Sequence, residues 1–137
     1  MKPKILIVTA RYYKVFSENL EFYASGALDN KAKYKFVSVP GVFEIPVVIS
    51  KNIKKYDAFL ALGCVIKGKT PHFELISKAV TNAIMNLSIT HKKPIGNGIL
   101  TCLNKRQALK RLNKGEEASN AVEQVFINES AIKLDKR

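Results

Sequence analysis

Ala58-Phe59-Leu60-Ala61-Leu62-Gly63-Cys64-Val65-Ile66-Lys67-Gly68-Lys69-Thr70-Pro71-His72-Phe73-Glu74 is the stretch on which the fold turns. Its unbroken apolar start reads as a strand buried on both faces. Gly68 breaks the chain, and Pro71 suits the first position of a helix. A strand, a turn and a helix start are therefore expected side by side. Residues 63–70 also satisfy G-x-x-x-x-G-K-[ST], the phosphate-cradling P-loop pattern. A P-loop needs small, flexible residues so that backbone N–H groups converge on phosphate. Cys64-Val65-Ile66 continues the strand instead. A nucleoside triphosphatase also needs an acid for magnesium, usually at the end of a second apolar strand. Asp57 stands at the start of its strand, the wrong end. The pattern is thus read as a chance match to a nucleotide site. Gly68, Lys69 and Thr70 still precede a helix start, where free N–H groups and the helix dipole favour an anion. The plainer alternative for Thr70 is an N-cap.

Working outward, strands are expected over 4–10, 34–39, 57–66 and 94–102, the last weakened by Gly96 and Gly98. Ser17 can cap a helix over about 18–29. The segment 43–56 reads as helical, with Pro46 tolerated in its first turn. A helix from Pro71 to about Ile89 keeps Phe73, Ile76, Val80, Ala83, Ile84 and Leu87 at helical spacing. Asn104 can cap a short helix through Leu112, and a last helix follows Asn113-Lys114-Gly115. Strands alternating with helices imply a parallel sheet covered on both faces. Four strands in 137 residues fit a single α/β domain over 1–137, a flavodoxin-like three-layer α/β/α sandwich with a four-stranded parallel sheet. No internal repeat, low-complexity segment or linker interrupts it.

The bulk composition agrees. Apolar residues make up 47% and charged residues 25%, ordinary values for a globular chain. No apolar run approaches the ~20 residues of a membrane span. The run Ile5-Leu6-Ile7-Val8 is too short for a secretory leader, which points to a cytoplasmic protein. Cys64 and Cys102 lack metal spacing and read as free thiols. The net charge of +12 is spread in runs of at most two basic residues, such as Lys54-Lys55 and Lys110-Arg111. That distribution describes a solvated lysine surface better than a nucleic-acid face.

Open α/β sheets take ligands beyond the carboxyl ends of their strands. Arg11-Tyr12-Tyr13, Gly41-Val42-Phe43-Glu44 and Gly63–His72 all fall there, each after a strand.

Four blocks in order resemble the 6,7-dimethyl-8-ribityllumazine synthase family. They are Pro40-Gly41-Val42-Phe43-Glu44-Ile45-Pro46, residues 61–74 as quoted above, Pro94-Ile95-Gly96-Asn97-Gly98-Ile99-Leu100-Thr101, and Gln107-Ala108-Leu109-Lys110-Arg111 followed by Asn113-Lys114-Gly115. The resemblance spans nearly the whole chain. It implies condensation of 5-amino-6-(D-ribitylamino)uracil with 3,4-dihydroxy-2-butanone 4-phosphate, with no metal or organic cofactor. It implies that His72 transfers protons, a task suited to imidazole; a lone histidine is otherwise more often structural. Tyr12 matches an aromatic that stacks on the heterocycle, although an amphipathic surface tyrosine would look the same. Val42, Phe43 and Glu44 match a segment binding the ribityl chain; without the family, Phe43 would be core and Glu44 a helix-start acid. Cys64, Val65 and Ile66 match a bed for the pyrimidine. Gly68, Lys69 and Thr70 match the phosphate turn. Arg111 matches a phosphate-binding arginine, whose planar fork suits such an oxyanion. Asn97 matches a ring-contacting position supplied by a neighbouring subunit.

Some positions depart from the family pattern. Lys69 replaces a residue that is often acidic or small, and Asn97 one that is often aromatic. Tyr13 replaces a polar residue. The segment between Arg111 and Asn113 is short, which bears on the placement of Lys114. The family forms pentamers with sites at subunit interfaces, so a homopentamer is the expected minimum; the short lead before the first strand lacks the longer arm of many shell-forming members. Two other functions are weighed. A non-catalytic flavin or lumazine carrier would need no phosphate turn. A nucleic-acid binder would need an aromatic-basic stripe.

Overall fold

The computed structural model describes residues 2–69 and 71–135. Its strands are β1 (Lys4–Ala10), β2 (Lys33–Val39), β3 (Ala58–Ile66) and β4 (Ile95–Cys102). All pairs are parallel, and the order across the sheet is β2-β1-β3-β4. The helices are α1 (Lys14–Leu28), α2 (Ile45–Lys51), α3 (His72–His91), α4 (Lys105–Leu109) and α5 (Lys114–Asp135). This is the expected flavodoxin-like α/β arrangement.

Period-two alternation along each strand sends side chains to two separate cores. On one face Ile5, Ile7, Leu60, Leu62 and Leu100 meet Leu20 and Leu28 of α1 and Ala118 and Val122 of α5. On the other, Leu6, Val8, Phe59, Ala61 and Ile99 meet Ile45 and Ile49 of α2 and Val80 and Ile84 of α3. Covering both faces is why β1 and β3 read as continuous apolar runs. No helix among the described residues is long and apolar enough to cross a membrane. Of the described lysines, only Lys93 and Lys114 are not fully on the surface. Lys93 Nζ donates to the carbonyls of Ile53 (2.5 Å) and Tyr56 (2.8 Å), tying the turn after α2 to the start of β4.

Strand boundaries fall within one residue of expectation; several helix details do not. The first helix begins at Lys14, well before the expected 18, and Tyr13 is its N-cap, with no side-chain capping bond. Ser17 is not a cap. It is buried inside α1, and its hydroxyl donates to the carbonyl of Ala10, fastening the helix to the end of β1. The segment 43–56 is a 3₁₀ turn over Val42–Glu44 followed by the short α2. Asn52 ends that helix, its side-chain amide donating to the Val48 carbonyl at 2.8 Å. Asn104 does cap α4, accepting from the Gln107 N–H at 2.9 Å, but α4 stops at Leu109.

Gly96 and Gly98 have packing roles in β4: Gly96 lets α5 approach the strand, and Gly98 makes room for Leu62 of β3. A Cβ on Gly96 would lie 2.4 Å from the Ala118 carbonyl oxygen, and one on Gly98 would lie 2.4 Å from Leu62 Cδ2. Gly115, in the first turn of α5, passes as close to α1: its Cβ would sit 2.1 Å from the Leu20 oxygen.

Candidate functional site

At the carboxyl ends of β1, β2 and β3 the chain forms a cleft of about 390 Å³. Four segments, far apart in sequence, supply its walls. Tyr12 and Tyr13 follow β1; Gly41, Val42, Phe43 and Glu44 follow β2; Cys64, Val65 and Ile66 end β3; His72 and Ile76 come from the first turns of α3. Parallel strands with helical crossovers deliver these loops to one end of the sheet, as such folds do for ligands.

Each wall has a local cause. Glu44 Oε1 accepts from the Gly41 N–H at 3.0 Å, closing the tight turn that exposes Phe43 and buries Val42. Phe43 is 62% exposed and Tyr12 is 76% exposed, so two large apolar rings stand open at the rim. Single exposed rings are ordinary, but two at the rim of one cleft suit a flat, apolar ligand face. His72 is the first residue of α3, and Ile76, one turn on, lies beneath it on the same helix face. Cys64 is buried, and burial, with Cys102 nearby, pushes its thiol up to about 12. The register explains the pairing: Cys64 stands opposite Leu100 and Ile66 opposite Cys102, so the two thiols share a face. Both are free. Burial, the adjacent Tyr12 and the Cys64 thiol likewise raise the Tyr13 hydroxyl above its ordinary range. A protonated, buried Cys64 is a poor nucleophile. The cleft therefore offers an acid–base imidazole, a carboxylate and aromatic faces, with no activated thiol.

Of the thirteen residues expected from sequence, the cleft gathers Tyr12, Val42, Phe43, Glu44, Cys64, Val65, Ile66 and His72. Gly68 and Lys69 lie exposed in the loop between β3 and α3, next to His72 but outside the lining. Thr70 lies outside the described residues. No described glycine has positive φ, and Gly63–Ile66 is regular strand, so the described residues 63–69 do not form a P-loop cradle. Arg111 is exposed in the turn after α4 and does not line the cleft. Asn97 lies in edge strand β4 opposite Ala61, and its Oδ1 accepts from the Ile99 N–H at 3.0 Å. It sits four residues before Thr101, roughly 13 Å from the strand's mouth at the usual rise. The chain's own cleft thus lacks both Arg111 and Asn97.

Tyr13, Gly41 and Ile76 line the cleft although none of them was expected as a site residue. Ile76 fits the apolar spacing of α3 and carries no polar signal. Tyr13 had a signal in its adjacency to Tyr12 after a strand. Among the described residues, no cluster of three or more His, Cys, Asp or Glu side chains could hold a metal ion.

Comparison with known sequences shows the family. The model of the family described as 6,7-dimethyl-8-ribityllumazine synthase matches residues 2–128. The chain is 43% identical over 129 residues to a 6,7-dimethyl-8-ribityllumazine synthase of Bartonella tribocorum, covering 88% of this chain and 85% of that one. It is 40% identical over 124 residues to a protein of that name from Agrobacterium fabrum, covering 85% and 84%. A similar protein from Corynebacterium kroppenstedtii is 37% identical over 123 residues, covering 84% and 77%.

Proposed function

Since this chain belongs to the 6,7-dimethyl-8-ribityllumazine synthase family, we propose that its cleft at the carboxyl ends of β1 to β3 is where it makes that lumazine. The enzyme is a transferase of riboflavin biosynthesis. It condenses 5-amino-6-(D-ribitylamino)uracil with 3,4-dihydroxy-2-butanone 4-phosphate, releasing phosphate and water. The observation that carries the assignment of the site is the convergence of Tyr12, the Val42–Glu44 turn, the end of β3 and His72 on one cleft.

The parts suit the chemistry. The pyrimidine lies against the end of β3, where Cys64, Val65 and Ile66 present backbone and apolar surface, with Tyr12 across its face. Phe43 and Glu44 bound the ribityl chain, the Glu44 carboxylate accepting from its hydroxyls. The amine attacks the ketone and loses water to give an imine; phosphate is then eliminated, and the ring closes with a second dehydration. Every step moves a proton, and His72 is the group in the cleft best suited to taking and giving one. Gly68, Lys69 and Thr70, beside the start of α3, receive the phosphate, favoured by free N–H groups at the helix end. The reaction calls for no metal or organic cofactor.

One chain supplies only part of such a site. Arg111 and Asn97 do not line its own cleft, so in this proposal they complete the cleft of a neighbouring copy. A homopentamer with sites between subunits is the assembly proposed, with residues 1–137 acting as one domain. The protein works in the cytoplasm, where buried free thiols such as Cys64 and Cys102 persist.

The test mixes the protein with both substrates and follows lumazine fluorescence. Turnover above the uncatalysed condensation is expected. His72→Ala should lose about 10²- to 10⁴-fold in kcat, the usual worth of a positioned acid–base group, while keeping the native mass in scattering. Wild-type turnover in that variant would remove His72 from the mechanism, and no turnover in the unaltered protein would overturn the function.

A further inference from the structure

Tyr12 carries most of its ring in solvent and belongs to the short link between β1 and α1. A tyrosine so placed has several staggered positions open to it. Tyr13 restricts them. The two ring centroids are 4.9 Å apart at 82°, an edge-to-face contact within the favoured range. Tyr13 is itself held on three sides. Its ring lies 5.9 Å from that of Phe16, which is buried against the core. It is half-buried on the core beneath α1 and lines the cleft. Its carbonyl accepts from the Ser17 N–H at 2.9 Å, the first bond of α1, and the Ser17 hydroxyl fastens that turn to Ala10. The raised Tyr13 hydroxyl has the same surroundings as its cause, burial first and then Tyr12 and Cys64.

We propose that Tyr13 is a positioning residue for substrate recognition, holding the Tyr12 ring by their edge-to-face contact in place for a flat heterocycle in the cleft. A fixed ring loses less freedom on binding than a mobile one, which is the usual gain from preorganisation. The idea deepens the reading given under Proposed function and rests on it. Tyr13 acts through Tyr12 and touches none of the reacting bonds, so it changes recognition of the heterocycle and leaves the phosphate-bearing substrate alone.

The experiment is a double-mutant cycle on Tyr12 and Tyr13, read by binding of 6,7-dimethyl-8-ribityllumazine (its fluorescence change on titration) and by kinetics. Tyr13→Leu removes the aromatic partner of that contact while keeping bulk. It should weaken lumazine binding by about 3- to 10-fold, the range of an aromatic pair. It should also raise KM for the pyrimidine substrate by a similar factor, leaving kcat and KM for the butanone phosphate unchanged. Tyr13→Phe keeps the aromatic partner and should restore wild-type values, which a loss of hydroxyl chemistry would not. Adding Tyr13→Leu to Tyr12→Ala should cost nothing more. Wild-type lumazine affinity in Tyr13→Leu, or additive losses in the double variant, would overturn the proposal. If Tyr13→Leu does not fold, Tyr13→Phe and Tyr13→His still decide it: the aromatic rings must both retain affinity. Failure of the synthase reading is distinguishable, because it would leave product binding and its coupling intact in a protein without turnover.

Discussion

Gly63 sits where the two sides of the proposed site meet, and Gly63→Ala is the sharpest test of that packing. A Cβ there would stand 2.8 Å from Val42 Cγ1 and 3.0 Å from Ala10 Cβ. Carbon pairs are comfortable at about 3.5–4.0 Å, so each neighbour must yield by roughly 0.5–1 Å. Neither yields easily. The Ala10 Cβ is fixed to the backbone at the end of β1, and Val42 is β-branched with a stiff χ1 in the turn that Glu44 closes. Overpacking of this kind costs about 1–3 kcal/mol. Urea unfolding should show that loss as a lower midpoint with unchanged slope, measured at one protomer concentration so that association does not intrude. Gly68→Ala is the matched control. Nothing lies within 4 Å of its added Cβ, and Gly68 has no positive φ. Its stability should therefore stay level or rise by up to about 1 kcal/mol through a stiffer unfolded chain. Because the displaced Val42 lines the cleft, Gly63→Ala should also raise KM for the pyrimidine substrate. A Gly63→Ala protein within about 0.5 kcal/mol of the original, the ordinary scatter of surface substitutions, would refute the packing argument.

Glu44 combines a turn-closing bond with a free share of carboxylate, and substitution separates them. Glu44→Gln keeps an acceptor for the Gly41 N–H, so its unfolding midpoint should hold while lumazine affinity falls by about fivefold, the difference between charged and neutral hydrogen bonds; equal affinity would remove the carboxylate from ribityl binding. Glu44→Ala should lose about 1 kcal/mol of stability as well, as capping residues do. Cys64 holds its proton more tightly in the folded chain, at about 12 against an ordinary 9.0. Its stabilisation is therefore complete below pH 9 and lost as pH rises from there toward 12, because the unfolded thiol ionises first. Cys64→Ala should flatten that part of the stability–pH curve, with Tyr13 and Tyr34, both also raised, supplying the remainder. Alkylation of native Cys64 at pH 8 should be far slower than in urea; equal rates would contradict its burial.

β1 and β3 were legible because each is a continuous apolar run, and burial on both faces leaves little else for such a run to be; β2 and β4, which alternate or carry glycines, were legible from their place between helices. Most of the cleft was legible for the same reason, since residues that follow parallel strands converge at one end of the sheet. What the sequence concealed depended on partners distant in the chain. Ser17 looks like an N-cap until Ala10 is seen beside it. Gly96 and Gly98 look like weak points in a strand until α5 is laid across them. Tyr13 looks redundant beside Tyr12 until Phe16 and the end of β3 fix it in place. Arg111 carries the family pattern yet lies outside the cleft of its own chain, a separation its motif does not encode, whereas the resemblance already assigned the position of Asn97 to a neighbouring copy.

The close seat of α5 on α1 and β4 has a consequence for the order in which the protein is made. All the walls of the cleft are present in the chain once Ile76 has been synthesised, yet the face of the sheet beneath α1 is not fully covered until Ala118 and Val122 arrive. A ribosome adds residues at about 5–20 per second, so the emerging chain spends seconds with its recognition elements in hand and half a core in water. Gly115 and Gly96 leave room for the late helix to seat closely on α1 and β4. Any added side chain at those positions would hold the nascent protein open at the stage when its greasy face most invites a wrong partner.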